Sequence, residues 1–314
     1  RLNTYAHRNG IRLRSFIEYQ GLLDLRPLVA RQTANLNADR IYPAEMYVPQ
    51  RFRILDRSTE NESRDGALEQ VLDWLTTDTA RFIMILGDFG RGKTYLLHQL
   101  ARVLPDHIQG ILPILVELRA LEKGPSLDVL LAQHLYLHHV EGITEDRIEY
   151  MVKSGRLAIL FDGFDELELR VGYDNAADYL RRLLHTISGR AKIVVTSRTQ
   201  HFQSNNQVRT ALGEQVSLLS ASRVATLEDF TDEQIITFLV NRYEGDHSKA
   251  RERFSLIQDI QDLLGLSHNP RMLSFIADLP TENLIAIHNE QGRVSAAELY
   301  EALMNQWLNF EQHR

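Results

Sequence analysis

The sequence predicts a three-layer α/β protein with a doubly wound, mainly parallel sheet, followed by a small all-helical domain. Three observations carry this. Four short apolar runs, RFIMIL (81–86), ILPILVEL (111–118), LAILF (157–161) and AKIVVTS (191–197), have the length of strands and do not alternate, which suits strands covered on both faces. Between them lie helical patterns at 93–104, 127–140, 144–155 and 173–187. Strands alternating with helices imply right-handed crossovers between parallel strands. After one further strand at RVATLE (223–228) the strand signals stop and helical text continues.

Taken in order, residues 1–66 read as an N-terminal helical and linker segment. It holds a helix in 11–30, polar text, the stretch YVPQRF (47–52), and the polar linker RSTENESRDG (57–66) that sets the first boundary. Residues 67–228 are the α/β domain. Thr231 and Gln234 form a capping-box signature before the helix 232–243. Helices at 251–265 and 270–279 complete a helical domain over 229–290, and a last helix at 295–310 opens a region from 291 to 314. Trp74 and Trp307 read as helix anchors in cores.

The 314 residues are 44% hydrophobic and 25% charged, ordinary values for a globular chain that buries a core. The net charge of −7 argues against a nucleic-acid partner, since phosphate backbones are held by surplus Lys and Arg. Absent cysteines exclude disulfides, cysteine-ligated zinc and thiol catalysis, and fit a cytoplasmic location. No apolar run is long enough for a spanning helix, and the first residues lack a signal-peptide core. The start at Arg1 reads as a piece of something longer.

The sharpest motif is Gly87-Asp88-Phe89-Gly90-Arg91-Gly92-Lys93-Thr94, which fits G-x-x-x-x-G-K-[ST]. It stands directly after a strand run and opens a helical one. Its glycines let successive N–H groups face one concave site that cradles phosphate oxygens, and the helix N-terminus beneath favours an anion. Lys93 would reach the β- and γ-phosphates and the Thr94 hydroxyl would ligate Mg²⁺. The predicted fold is therefore that of a P-loop NTPase. A second motif, Asp162-Gly163-Phe164-Asp165-Glu166, ends the strand run 157–161. The first acid there suits the Mg²⁺ shell, and a later one suits orienting or deprotonating a water. A third, Thr196-Ser197-Arg198, ends another strand. Should that strand neighbour the P-loop strand, Arg198 points into the phosphate region as a γ-phosphate sensor.

With these motifs in register, the chain resembles the NACHT family of signal-transduction ATPases with numerous domains (STAND). The paired acids Asp165 and Glu166, the stretch Thr196 to Phe202, the helical text LEDFTDEQIITFL and Asn269-Pro270-Arg271-Met272-Leu273 carry the resemblance, with Glu298 to Glu301 the least specific match. It implies that Gly87 to Thr94, with Tyr95 following, bind ATP or ADP and that Asp162 supports Mg²⁺. Glu166 is then the catalytic base, with Asp165 beside it supporting metal or water, and Arg198 senses the γ-phosphate. Pro270 touches the base, with Tyr47 and Val48 covering its other side. The resemblance further implies a following winged-helix region, self-association on activation, and effector and sensor domains outside this sequence. A switch that slowly hydrolyses ATP in signalling or antiviral defence, of bacterial source, is the function implied.

The alternative is an AAA+-like remodeller or a nucleic-acid-dependent ATPase motor, which wants an arginine finger and a basic channel. A Ras-like GTPase wants an N-K-x-D motif, which the sequence lacks after the acidic strand. His134 and His138, four apart with His139 and Glu141 nearby, resemble a metal site only superficially and read as an ordinary helix face.

Overall fold

The computed structural model describes residues 24–55, 62–120, 127–140, 142, 144–166, 190–201, 221–282 and 284, with 301, 304 and 308. The helices expected at 173–187 and 295–310, most of the 11–30 helix, Phe202, Glu141 and Trp307 lie wholly or largely outside these residues.

The strands are β1 (Phe52–Ile54), β2 (Ser63–Arg64), β3 (Phe82–Leu86), β4 (Leu112–Glu117), β5 (Leu157–Asp162), β6 (Lys192–Ser197) and β7 (Ser222–Leu227), in spatial order β2-β1-β7-β3-β6-β5-β4. β1 is antiparallel to β2 and β7, and the other pairings are parallel. Period two explains the continuous apolar runs. Phe82, Met84 and Leu86 face one core, and Ile83 and Ile85 face another. The first core is closed by α1 (Arg26–Asn37), α4 (Leu127–Leu137) and α5 (Glu145–Lys153), and the second by α2 (Ala67–Thr76) and α3 (Lys93–His107). Trp74 is buried in the second core, edge-on to Phe52 at 6.4 Å. Three layers result, as expected.

Beyond β7, among the described residues, the helices α6 (Asp232–Arg242), α7 (His247–Asp259), α8 (Gln261–Ser267) and α9 (Pro270–Asp278) bury a separate core. The capping box forms: Thr231 Oγ1 accepts from the Gln234 N–H at 3.3 Å, and Gln234 Oε1 from the Thr231 N–H at 2.9 Å.

Three local expectations are corrected. Of the helix expected in 11–30, residues 11–23 lie outside the described residues; among the described residues a helix starts at Arg26, with Pro27 in its first turn, and runs to Asn37 rather than ending by 30. The polar linker 57–66 holds, in its described part, the edge strand β2; polar residues exposed on both faces give no alternation, so an edge strand reads as a loop. The helix expected at 251–265 starts earlier, where the Asp246 carboxylate caps the N–H groups of Ser248 and Lys249. It then breaks at Ile260, an extended residue (φ −112°, ψ 98°) that packs against the bundle core.

The sheet edge at β4 is met by α1. The Gln32 side-chain amide donates to the Pro113 carbonyl at 3.1 Å and accepts from the Leu115 N–H at 2.9 Å. Arg31 donates to the His138 carbonyl at 2.7 Å.

The histidine pair is a packed helix face. The His134 and His138 rings lie 4.6 Å apart, and no three His, Cys, Asp or Glu among the described residues are placed to hold a metal. Burial, then the neighbouring His138, pushes His134 down to about 4 from its ordinary 6.5. A depressed folded value leaves the associated stability whole above about pH 6.5 and drains it as pH falls toward 4, by roughly 3 kcal/mol at about 1.4 kcal/mol per unit. His134→Leu should therefore flatten the fall of the thermal midpoint across that window. An unchanged slope would assign the loss to another group.

Candidate functional site

The parallel strands point their C-terminal ends at one crevice, where doubly wound sheets bind ligands. β6 pairs with β3 on one side and β5 on the other, with Leu86 opposite Ser197. The condition set for Arg198 is thus met: its strand neighbours the P-loop strand. A cavity of about 350 Å³ opens there, within the range of small-molecule and cofactor pockets.

The loop 87–92 ends where Gly92, left-handed at φ 83°, gives way to α3. Lys93 Nζ donates to the carbonyls of Gly87 (2.7 Å) and Asp88 (3.2 Å), which curls its ammonium back over the loop. Burial pushes the Lys93 amine below the ordinary lysine value, opposed by the carboxylates of Asp165 and Asp162. At the next residue, Thr94 Oγ1 donates to Asp162 Oδ2 at 2.8 Å, and Thr196 Oγ1 donates to Asp162 Oδ1 at 2.7 Å. The Gly163 N–H in turn donates to Thr196 Oγ1 at 3.0 Å. These bonds hold Asp162 against Thr94, and two hard oxygen donors side by side beneath the glycine-rich loop fit a Mg²⁺ ion. Gly163 is left-handed (φ 80°), which lets the chain turn from β5 so that the buried Asp165 and then Glu166 come back over the crevice. Arg198 Nε is paired with Asp165 Oδ2 at 2.9 Å.

Phe89, Gly90, Gly92, Lys93, Thr94, Tyr95, Asp162, Asp165, Glu166, Arg198, Pro270, Tyr47 and Val48 all line this cavity. Gly87, Asp88 and Arg91 do not. The Arg91 guanidinium is turned away, bidentate on Asp229 at 3.0 and 3.1 Å and donating to the Leu227 carbonyl at 3.2 Å, so it ties the loop to the end of β7. Tyr95 is a strut for the preceding segment: its hydroxyl donates to the Pro43 carbonyl and its ring meets Tyr42 and Tyr47 at 5.3 and 5.8 Å. Burial raises the hydroxyls of Tyr47 and Tyr95 above the ordinary tyrosine value, so both remain protonated donors.

Several lining residues went unread in the sequence. Tyr42, Pro43 and Met46 precede the sheet, and Phe230, Phe238, Arg242, Phe275 and Asp278 come from the helical bundle. Arg242 donates to Asp278 Oδ1 at 2.9 Å through Nε, joining α6 to α9 beside the cavity. Gln50 is buried, accepts from the Tyr47 hydroxyl at 3.3 Å and donates to the Gly92 carbonyl at 2.8 Å.

The family model described as the NACHT domain matches residues 81–246, more than half of the chain. An uncharacterized WD repeat-containing protein of Nostoc sp. (strain PCC 7120) is 26% identical over 235 residues, covering 69% of this chain and 15% of that protein's length. Among solved structures, Cdc6p from Pyrobaculum aerophilum aligns with 76% of this chain and 68% of its own at 13% identity and a TM-score of 0.43. A STAND protein with a tetratricopeptide repeat sensor from Pyrococcus horikoshii aligns with 71% of this chain and 32% of its own at 17% identity and a TM-score of 0.35.

Proposed function

This chain belongs to the NACHT domain family, whose P-loop makes it a nucleotide-binding domain, and from that premise we propose that it is an ATP-driven switch. What supports this reading is one observation: a single cavity is walled by the sheet domain (Lys93, Thr94, Asp162, Arg198) and by the helical bundle (Phe238, Arg242, Pro270). A ligand there touches both bodies, and a ligand with different affinity for two arrangements shifts the balance between them.

In this reading the loop 87–94 binds the phosphates and Pro270, Tyr47 and Val48 enclose the base. Thr94 and Asp162 would hold Mg²⁺, which supplies charge neutralisation across the β- and γ-phosphates. Glu166 would take the proton of the attacking water. Slow hydrolysis would then reset the switch. Self-association, effector and sensor modules elsewhere in a longer protein, a cytoplasmic setting and a role in defence belong to the same proposal. Residues 67–228 and 229–290 are its two moving bodies.

Arg198 supplies the test. Its guanidinium sits on Asp165, and a γ-phosphate would compete for it while ADP would not. A charge-assisted bond to phosphate is worth roughly 1.5–3 kcal/mol. Arg198→Ala should therefore weaken a non-hydrolysable ATP analogue roughly ten- to a hundredfold and leave ADP nearly untouched. Paired calorimetric titrations check this; equal losses would make Arg198 structural and remove the sensor from the proposal.

A further inference from the structure

Every backbone carbonyl from Gly87 to Gly92 is engaged by a donor. Lys93 Nζ takes Gly87 and Asp88. Asn269 Nδ2 donates to the Phe89 carbonyl at 2.8 Å, and the Arg271 N–H donates to the Gly90 carbonyl at 3.2 Å. Gln50 Nε2 donates to the carbonyls of Arg91 (3.3 Å) and Gly92 (2.8 Å). The central carbonyls are thus held by two other parts of the chain: the segment before the sheet, and the start of α9 in the helical bundle.

The direction of these bonds matters. In a trans peptide the C=O and the following N–H point opposite ways, and no peptide among the described residues is cis. Pulling the Phe89 carbonyl toward Asn269 therefore aims the Gly90 N–H the other way. Gln50 does the same for the N–H groups of Gly92 and Lys93. The approach is close enough to exclude a side chain on the loop. At Gly90 (φ 82°) a Cβ would meet Asn269 Oδ1 at 2.3 Å and Arg271 Cβ at 2.7 Å, and at Gly92 (φ 83°) it would meet Gln50 Nε2 at 2.3 Å.

We infer that Asn269 is a positioning residue for the phosphate cradle, through which docking of the helical bundle sets the N–H groups that receive the nucleotide's phosphates. This rests on the nucleotide-switch reading above and adds a second linkage to it. Besides any contact between Pro270 and the base, the bundle shapes the loop itself. Swinging the bundle away would remove the donors of Asn269 and Arg271 together, so phosphate affinity and bundle docking must rise and fall together.

Asn269 also caps α9, where Oδ1 accepts from the N–H groups of Arg271 (3.0 Å) and Met272 (3.2 Å). The test must spare that role. Asn269→Ser and Asn269→Asp both keep a good capping oxygen and lose the donor to Phe89. Titrated with ADP and with a non-hydrolysable ATP analogue, Asn269→Ser should bind both about fivefold more weakly, the equivalent of one hydrogen bond at about 1 kcal/mol. Asn269→Asp should lose more, since a carboxylate then faces a carbonyl beside the phosphates. Gln50→Glu, which keeps the acceptor for Tyr47 but turns a carboxylate toward the Arg91 and Gly92 carbonyls, should resemble Asn269→Asp. ADP should slow hydrogen exchange across residues 232–279 in the wild type and do so less in Asn269→Ser, a coupling that a mere helix cap would not alter.

Wild-type affinities in both Asn269 variants would reduce the residue to a cap and overturn the inference. A loss confined to the ATP analogue would overturn it too, because the cradle serves both nucleotides. If the wild-type chain binds neither nucleotide, the switch reading itself falls, and the inference with it. If the wild type binds, Lys93→Ala does not and Asn269→Ser binds as the wild type does, the inference alone fails.

Discussion

Lys93→Ala should lower affinity for ATP by roughly 10²- to 10³-fold while the far-ultraviolet circular dichroism stays that of the wild type. In the proposed reading the ammonium would reach two phosphates, and each charge-assisted bond is worth roughly 1.5–3 kcal/mol. The same ammonium donates to the carbonyls of Gly87 and Asp88, within the loop proposed to cradle those phosphates. The fold should survive because Lys93 is half-buried and its charge is disfavoured by burial, as its lowered basicity records. A triphosphate would oppose that lowering, so the bound state should hold the proton more firmly than the free one. Affinity should then decline as pH rises through the lowered value of the free protein, with net proton uptake on binding. Calorimetry in buffers of different ionisation heat measures both quantities. Wild-type affinity in the folded variant would remove the phosphate site from the P-loop.

Glu166→Gln should leave ATP binding in place and slow turnover by about 10²-fold or more, since the amide keeps the shape and cannot accept a proton. Glu166, the base that the resemblance implies, is preferred to Asp165 in this proposal. Asp165 is buried and holds Arg198 at 2.9 Å, which suits it to orienting the proposed sensor. Glu166 lines the cavity one residue further along, at the mouth of the turn that Gly163 makes possible. Single-turnover hydrolysis beside equilibrium binding separates the two steps. An undiminished rate would pass the base to another group.

The elements whose signal is local were legible in the sequence. β3, β5 and β6 are buried on both faces and so are written as unbroken apolar runs, and the capping box at Thr231 and Gln234 needs only residues three apart. The P-loop and the acidic turn were legible for the same reason, since phosphate and metal chemistry constrain neighbouring residues. What stayed hidden depends on distant parts of the chain meeting. Chain order cannot say that β6 lies between β3 and β5, the placement that brings Thr196 to Asp162 and Arg198 to Asp165. Nothing around Gln50 announces that its amide holds a loop forty residues away, and Asn269 was read only as part of a short motif whose proline carried the meaning. Arg91 shows the converse. It belongs to the motif through its backbone, and its side chain spans to Asp229, a tie to the end of β7 that the motif does not announce.

The side-chain amide of Gln32 has a peptide's donor and acceptor in a peptide's spacing, and it binds β4 as one residue of an adjacent strand would. It thereby occupies the outer rim of the sheet with a rung that cannot be extended. A foreign strand arriving at β4 finds the carbonyl of Pro113 and the N–H of Leu115 already taken, with α1 behind them as a bulky obstacle. For a protein whose activity is proposed to depend on controlled self-association, this matters: copies that zip together through their sheets would form polymers indifferent to nucleotide. Gln32→Ala is a single lesion that unplugs the rim without touching the cavity, and any fibrils it seeded would grow equally in ATP and ADP.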